Sequence, residues 1–140
     1  MLEQMRNMPA GTFGVEAVGD VDEDDYEDVI APAVRRWMAE RGKIRMLYFL
    51  GPRLREYDGD AVEEEMKFVA RHPTAYERLA VVSDEDWLRP ALRMLSVLLP
   101  GQARGFPVRE LEAAKRWLAE GVDGAEDGAA TPGAPAGKRR

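Results

Sequence analysis

Few side chains in this chain could carry out chemistry on their own. The only histidine is His72, there is no cysteine, and the two serines are Ser83 and Ser96. The missing thiols exclude disulfides and thiolate catalysis, and a single histidine excludes a multi-histidine metal site. Neither serine stands in the Gly-x-Ser-x-Gly turn that exposes a nucleophile. We therefore expect no catalytic residue, no metal and no cofactor, and hence a protein that is not an enzyme.

Carboxylates are abundant, but their positions are typical of helix starts. The acidic run between Asp20 and Asp28 could bind a cation, although it lacks the glycine-containing spacing of a calcium loop. Asp22 is a favourable N-cap, and the acids after it suit the helix dipole, so we interpret the run as a solvated helix start. His72 could be an acid–base residue, but it precedes Pro73 at a predicted helix end. A packed or helix-terminal histidine is the more frequent case there.

Charge and hydropathy limit the classes of partner. The chain has 20 basic and 26 acidic side chains, a net charge of −6 and a pI of about 4.9. Because binding to nucleic acid depends on neutralising phosphates, this balance argues against a nucleic-acid partner. No apolar stretch approaches the ~20 residues that a membrane span needs, so we expect no transmembrane segment. Residues 1–6 lack the basic-then-apolar pattern of a signal peptide, so we expect a cytoplasmic protein.

The elements that must position any site alternate between strand and helix. The apolar run from Ile44 to Leu50, ended by Gly51 and Pro52, predicts a central strand covered on both faces. Further strands are predicted over residues 2–6, 12–18, 78–83 and 103–106. Helices are predicted over 22–42, 58–72, 83–100 and 108–120, caps and stops included, with a kink at Pro32. Glu63, Glu64 and Glu65 are assigned to the solvent face of the second helix, and Ser83 or Asp84 is the predicted cap of the third. The order ββαβαβαβα predicts an α/β domain over residues 1–120, with a mixed, mostly parallel sheet.

Beyond this domain, Gly, Ala and Pro dominate and no aromatic residue occurs. This composition is typical of a disordered tail, which we predict over residues 121–140.

Two neighbouring stretches are candidates for a binding surface. In open α/β sheets, ligands tend to bind where the carboxyl end of a strand meets the next helix, which here is the loop from Gly51 to Asp60. The third helix also carries more apolar side chains than one sheet contact needs; they are Trp87, Leu88, Leu92, Met94, Leu95 and Leu99. An exposed apolar patch usually marks an interface or a ligand groove. The alternative is that neighbouring helices and the N-terminal strands cover this face. The candidate ligand- or partner-binding residues are Gly51, Pro52, Tyr57, Asp58, Asp60, Ser83, Asp84, Trp87, Leu88 and Met94.

Several short strings, distributed over residues 1–120, resemble one protein family. They are Met8-Pro9-Ala10-Gly11, Asp25-Tyr26-Glu27, Ile30-Ala31-Pro32-Ala33, Leu47-Tyr48-Phe49-Leu50-Gly51-Pro52, Lys67-Phe68, Glu77-Arg78-Leu79-Ala80-Val81-Val82-Ser83-Asp84 with Trp87, and Phe106-Pro107. Together with the order of elements, they resemble the SpoIIAA-like proteins, a bacterial group with STAS/SEC14 domains. The resemblance implies a (βα) superhelix whose helices curl round a mixed sheet.

The resemblance also implies two functional classes. Wider relatives include anti-sigma-factor antagonists, with a phosphorylatable Ser or Thr at the start of the helix after the central strand, and lipid carriers, with an acyl chain in an apolar pocket under a mobile helix. The matching stretch here, Tyr57 to Ala61, holds no Ser or Thr. Asp58 or Asp60 could mimic a phosphorylated residue, although ordinary N-capping explains either more simply.

These observations favour a non-enzymatic binding or regulatory module. We expect it to act through a protein partner or as a homodimer. The alternative is a binder of apolar ligands, such as a lipid or an acyl chain, with peripheral membrane association.

Overall fold

The computed structural model describes residues 1–122, which form seven strands and four helices. The strands are β1 (Leu2–Gln4), β2 (Phe13–Ala17), β3 (Gly19–Val21), β4 (Ile44–Leu50), β5 (Leu54–Tyr57), β6 (Tyr76–Ser83) and β7 (Ala103–Phe106). Helix α1 is a composite of Glu23–Asp25, a π-helical turn Tyr26–Ile30 and Ala31–Arg41. The others are α2 (Gly59–Arg71), α3 (Arg89–Leu98) and α4 (Leu111–Ala119), and 3₁₀ turns Asp86–Leu88 and Val108–Glu110 precede α3 and α4.

The main sheet has the order β1-β2-β4-β6-β7. Only β1 runs antiparallel to its neighbour, and β2, β4, β6 and β7 pair in parallel. Strand β4 lies at the centre, with Tyr48 opposite Val15 of β2 and Val81 of β6. The mixed, mostly parallel α/β sheet predicted from the sequence is confirmed. The predicted tail over residues 121–140 lies outside the described residues, except for Gly121 and Val122.

Helices cover the two faces of the sheet unequally. On one face, Ile44, Met46, Tyr48 and Leu50 of β4 belong to a large core with α1, α2 and α3. On the other face, α4 packs over a smaller cluster that includes Leu47, Ala80, Val82, Ala114 and Leu118. Alternate side chains of β4 therefore enter two cores, which explains why its sequence is an unbroken apolar run.

Arginine side chains anchor α4 to the sheet. Arg45 is only 8% exposed; its Nε donates to Glu77 at 2.7 Å, and its Nη1 donates to the carbonyls of Leu118, at 2.9 Å, and Glu120. Arg78 donates to the carbonyl of Trp117. The last carbonyls of a helix lack partners within the helix and attract cations, so these arginines stabilise the C-terminal end of α4.

The first helix accommodates Pro32 through its π-helical turn. Pro32 lies in the first turn of the segment Ala31–Arg41, directly after Tyr26–Ile30. Proline lacks an N–H and crowds the preceding turn, so the predicted disturbance of α1 takes the form of a wider turn. The two buried residues of that turn are Tyr26 and Ile30.

Strands β3 and β5 were not predicted from the sequence. They pair in parallel as a separate ribbon, with Val21 opposite Tyr57. The loop expected from Gly51 to Asp60 therefore contains a strand. The amide of Asp58 donates to the carbonyl of Val21 at 2.8 Å. The start of α2 is thus held beside the start of α1.

Candidate functional site

Two adjoining cavities lie on the face of the sheet that α1, α2 and α3 cover. They comprise about 420 and 380 Å³ of empty space, including the part that is open to solvent. The first reaches toward Tyr26 and Ile30 of α1, and the second toward Leu88 and Leu92 beside and in α3. The residues that line both are Tyr48, Glu65, Met66, Val81 and Leu95. Glu65 is the one carboxylate among these shared wall residues.

Glu65 is held by tyrosine hydroxyls from two strands. The hydroxyl of Tyr57 donates to Oε1 of Glu65, and the hydroxyl of Tyr48 donates to the same oxygen at 3.1 Å. The two hydroxyls also lie within hydrogen-bond distance of each other. Because β4 supplies Tyr48, β5 supplies Tyr57 and α2 supplies Glu65, this cluster depends on the unpredicted β3–β5 ribbon.

Burial controls the protonation of this cluster. Burial raises the pKa of the Glu65 carboxyl to about 7, although the hydrogen bonds from Tyr57 and Tyr48 oppose the shift. Burial and the nearby Glu65 carboxylate raise the pKa of Tyr48 and of Tyr57. The tyrosines therefore stay protonated near neutral pH. Glu65 can exchange a proton there, as a general acid or base does, or hold a cation.

A fourth group in the wall has no hydrogen-bond partner. Tyr26 is 4% exposed and lines the first cavity, and its hydroxyl forms no hydrogen bond within residues 1–122. Burial, and then the neighbouring Tyr76 and Glu65, raises its pKa. The polar part of the site therefore comprises Glu65 and the hydroxyls of Tyr26, Tyr48, Tyr57 and Tyr76, among apolar walls.

Three of the candidate residues from the sequence meet at this site. Tyr57 and Leu88 line the second cavity. The ring of Trp87 lies 5.5 Å from that of Tyr57, centroid to centroid, and its Nε1 donates to Glu85 at 3.0 Å. Leu88 is only 8% exposed. It is therefore a wall residue and is not part of an exposed patch.

The other candidates from the first loop form turns and a cap. A Cβ on Gly51 would lie 2.5 Å from Cζ of Phe49, so a larger residue here would displace the Phe49 ring. Pro52 is exposed in the turn before β5. Asp58 is the N-cap of α2, and its side chain accepts from the amide of Asp60 at 2.8 Å. Asp60 is exposed at the first turn.

Ser83 and Asp84 also have structural partners. The hydroxyl of Ser83 accepts from the amide of Glu85 at 3.1 Å, and Oδ1 of Asp84 accepts from the amide of Val108 at 3.0 Å. The prediction that one of them caps the third helix is wrong, because Glu85 precedes the 3₁₀ turn that leads into α3. Asp84 instead fixes the 3₁₀ turn before α4.

The apolar face of α3 divides into a buried and an exposed part. Leu95 and Leu99 are buried, whereas Met94 is 51% exposed and Val97 is 73% exposed. Met94 therefore lies apart from the cavities. The predicted excess of apolar surface on this helix remains as an exposed strip of Met94 and Val97.

Glu65 and Tyr26 were missed as site residues. The sequence reading assigned Glu65 to the solvent face of its helix with Glu63 and Glu64, which is wrong for Glu65. The available signal was helical spacing: Glu65 lies one turn after the buried Ala61 and one turn before the buried Val69. For Tyr26, the apolar stripe of its helix indicated burial but not a role in a site. A buried tyrosine hydroxyl ordinarily finds a partner within the protein, and the sequence does not show that this one lacks it.

His72 is a packed residue at a helix end, as its position before Pro73 indicated, rather than part of the cavity site. It ends α2, its ring stacks on that of Phe68 at 4.4 Å between centroids, and its Nδ1 lies 3.0 Å from the Phe68 carbonyl.

Within residues 1–122, no group of three or more His, Asp or Glu side chains could hold a metal ion. In the same part of the chain, no helix is both long and apolar enough to span a membrane.

Comparison with known proteins identifies the family. No curated protein matches the chain. A crystal structure of an uncharacterised protein of the DUF3478 family from Shewanella loihica PV-4, described as having a SpoIIAA-like fold, is similar with a TM-score of 0.62 and 21% sequence identity. The match covers 84% of this chain and 92% of that one, and at this identity it shows the fold. The sequence model of the SpoIIAA-like family matches residues 12–119. The chain therefore belongs to the SpoIIAA-like family.

Proposed function

We propose that this SpoIIAA-like protein is a cytoplasmic, non-enzymatic binding protein that takes up a small, largely apolar molecule between α2 and α3. The observation that carries the proposal is the pair of adjoining cavities with the Glu65–tyrosine cluster in their shared wall. Ligand sites are typically apolar, with a few polar groups that orient the ligand. Each methylene buried there would contribute about 0.8 kcal/mol.

Binding fits this cluster better than catalysis does. A proton-transfer site usually pairs two groups whose pKa values are set apart, one acid and one base. Here burial raises the pKa of every tyrosine beside Glu65, so each remains a hydrogen-bond donor near neutral pH. One ionisable carboxyl among fixed donors supports recognition of a polar group on a ligand.

Two measurements test the proposal. Native mass spectrometry of freshly purified protein should detect a copurified small molecule, and isothermal titration calorimetry should detect binding of 1-hexanol. Met66→Trp should abolish both signals, because Met66 lines both cavities. Ala70→Trp is the control on an exposed position of the same helix. Absence of both signals from the wild-type protein, or their persistence in Met66→Trp, would contradict the proposal.

Self-association through α3 is the second candidate function. Met94 and Val97, one turn apart, expose large apolar side chains, and a second copy of the chain could cover them. Burial of such a side chain is worth roughly 1.5–3 kcal/mol. In light scattering after size exclusion, Val97→Glu should convert a dimer to a monomer, and Ser96→Glu, the exposed neighbour, should not. A monomeric wild-type protein would exclude this candidate. Peripheral contact with lipid through the same strip stays a prediction, which liposome flotation can test.

A further inference from the structure

The first cavity offers more hydrogen-bonding capacity than the protein itself uses. The buried hydroxyl of Tyr26 has no partner within residues 1–122. A buried polar group without a partner costs roughly 1–3 kcal/mol. In the same wall, both hydroxyls that reach Glu65 donate to its Oε1, and no hydrogen bond to Oε2 occurs in the described part of the chain. A buried hydroxyl without a partner, beside a half-buried carboxylate with one unused oxygen, indicates a polar partner from outside the chain.

Glu65 also lacks a compensating cation. Among the described residues it forms no ion pair, whereas Lys67 on the same helix reaches Glu63 and Glu64. The contrast with the other face of the sheet is direct, because the buried Arg45 there is paired with Glu77 at 2.7 Å. Glu65 is half-buried, and charges that are drawn out of water in proteins are normally paired. The missing cation at Glu65 therefore defines the kind of group that would complete the site.

We propose that this cavity binds a small primary alkylamine, whose ammonium group donates hydrogen bonds to Oε2 of Glu65 and to the hydroxyl of Tyr26. The proposal rests on the proposed function and names its ligand class. The short alkyl part would lie among Ile30, Val69 and Leu95, which line the same cavity. Bonds between an ammonium and a carboxylate are about twice as strong as neutral hydrogen bonds. A carboxylic acid would instead be repelled by Glu65.

Two further features favour a cation. Four tyrosines line the cavities, and aromatic rings attract ammonium groups when the cation lies over the ring face. The net charge of the chain is −6, so the field of the whole molecule also favours the approach of cations.

The proposal implies a specific pH dependence. The titratable wall groups that face Glu65 are Tyr26 from α1, Tyr48 from β4, Tyr57 from β5 and Tyr76 from β6, while α3 contributes apolar residues. Charged side chains outside the cavities also affect these tyrosines. Arg35 lowers and Glu64 raises the pKa of Tyr26, and Asp25 raises the pKa of Tyr57. Burial raises the pKa of every wall tyrosine above its ordinary value, so the tyrosines stay protonated. Burial raises the pKa of Glu65 to about 7. Glu65 is therefore the wall group that ionises near neutral pH, and amine affinity should rise up to about pH 7 and then level off.

Calorimetric titration of n-butylamine, 1-butanol and butyrate tests the proposal. At pH 8 we expect n-butylamine to bind at least about tenfold more tightly than 1-butanol, and butyrate not to bind. Below pH 7 the amine affinity should fall about tenfold per pH unit. Glu65→Gln should remove the preference for the amine, and Glu64→Gln, its neighbour on α2, should keep it. Tyr26→Phe should weaken amine binding about fivefold or more.

The outcomes separate the two proposals. Equal binding of n-butylamine and 1-butanol at pH 8 would overturn the amine assignment and leave the proposed function standing. Absence of binding by both, with 1-hexanol still bound, would overturn only the amine assignment, and absence of binding by all three would overturn both proposals. If Glu65→Gln does not fold by circular dichroism, the wild-type pH profile and Tyr26→Phe decide the question. A pH-independent affinity, or an unchanged affinity in folded Tyr26→Phe, would contradict the amine proposal.

Discussion

Glu65 occupies a position that the pattern of α2 would give to an apolar residue. The consequence for stability follows from its pKa, which burial raises from an ordinary 4.5 to about 7. A carboxyl whose pKa is higher in the folded than in the unfolded state contributes stability at low pH. That contribution is lost as the pH rises through the folded-state pKa.

We therefore predict that Glu65→Gln is more stable than the wild-type protein at pH 8 and that the difference shrinks toward pH 5. The expected change in the free energy of unfolding over this window is at most about 3 kcal/mol. Urea unfolding at several pH values measures it. Glu77 does not confound the window, because the Arg45 hydrogen bond lowers its pKa and its contribution is lost only at more acid pH. A parallel pH dependence for both proteins would contradict the prediction.

A second prediction at the residue scale concerns two tyrosines of the same wall. Tyr26→Phe should leave the protein as stable or raise its free energy of unfolding by about 1 kcal/mol, because it removes a buried hydroxyl without a partner. Tyr48→Phe is the matched change at a hydroxyl that donates to Glu65 at 3.1 Å, and it should lower stability by about 1 kcal/mol. Denaturant midpoints distinguish the two. Equal losses would show that the Tyr26 hydroxyl has a partner in solution.

At the scale of elements, the start of α2 has two interpretations with different consequences. Asp58 accepts from the amide of Asp60 at 2.8 Å, as an N-cap does. The alternative is that its charge mimics a phosphorylated residue, as the family resemblance suggests. Asparagine caps helices about as well as aspartate but carries no charge.

We predict that Asp58→Asn keeps the melting temperature, while Asp58→Ala lowers stability by about 1 kcal/mol. Thermal unfolding followed by circular dichroism measures both. If Asp58→Asn loses as much stability as Asp58→Ala, the charge rather than the cap matters at this position.

Predictability from the sequence also differs between elements. The strand Ile44–Leu50 was predicted with its bounds because both of its faces are buried. Strands β3 and β5 were missed because their sequences, Gly19-Asp20-Val21 and Leu54-Arg55-Glu56-Tyr57, offer little apolar pattern. Their pairing depends on a contact between distant parts of the chain, which local propensity cannot reveal. The position of Tyr57 in the site, and hence the cluster around Glu65, follows from that contact.

At the scale of the whole molecule, the order of the helices and of the five strands of the main sheet was predictable, because hydrophobic periodicity reports which faces are covered. The composition of the cavity was not. Helical spacing places Glu65 on an inward stripe, but spacing does not report what surrounds the carboxyl or that Tyr26 lacks a partner. Both depend on how α1, α2 and β5 meet in space.

The extent of the domain gives a prediction at the same scale. Removal of residues 123–140 should leave the melting temperature unchanged within about two degrees, because this Gly-, Ala- and Pro-rich stretch carries no apolar stripe. In the shortened chain, Leu118→Ala is a control for sensitivity: Leu118 is fully buried, so its truncation should cost about 2–5 kcal/mol. A drop of more than a few degrees on shortening alone would show that the removed residues pack against the domain.

The two faces of the sheet should also differ in how often they open. Arg45 and Arg78 donate hydrogen bonds to the terminal carbonyls of α4 and fix it to the sheet. Helices α2 and α3, in contrast, pack over the two cavities. Amide protons of α4 should therefore exchange with deuterium only when the whole domain unfolds, and those of α2 should exchange faster, through local opening. A guest in the cavities would slow exchange on the α2 side alone, so the exchange pattern would locate the guest before its identity is known.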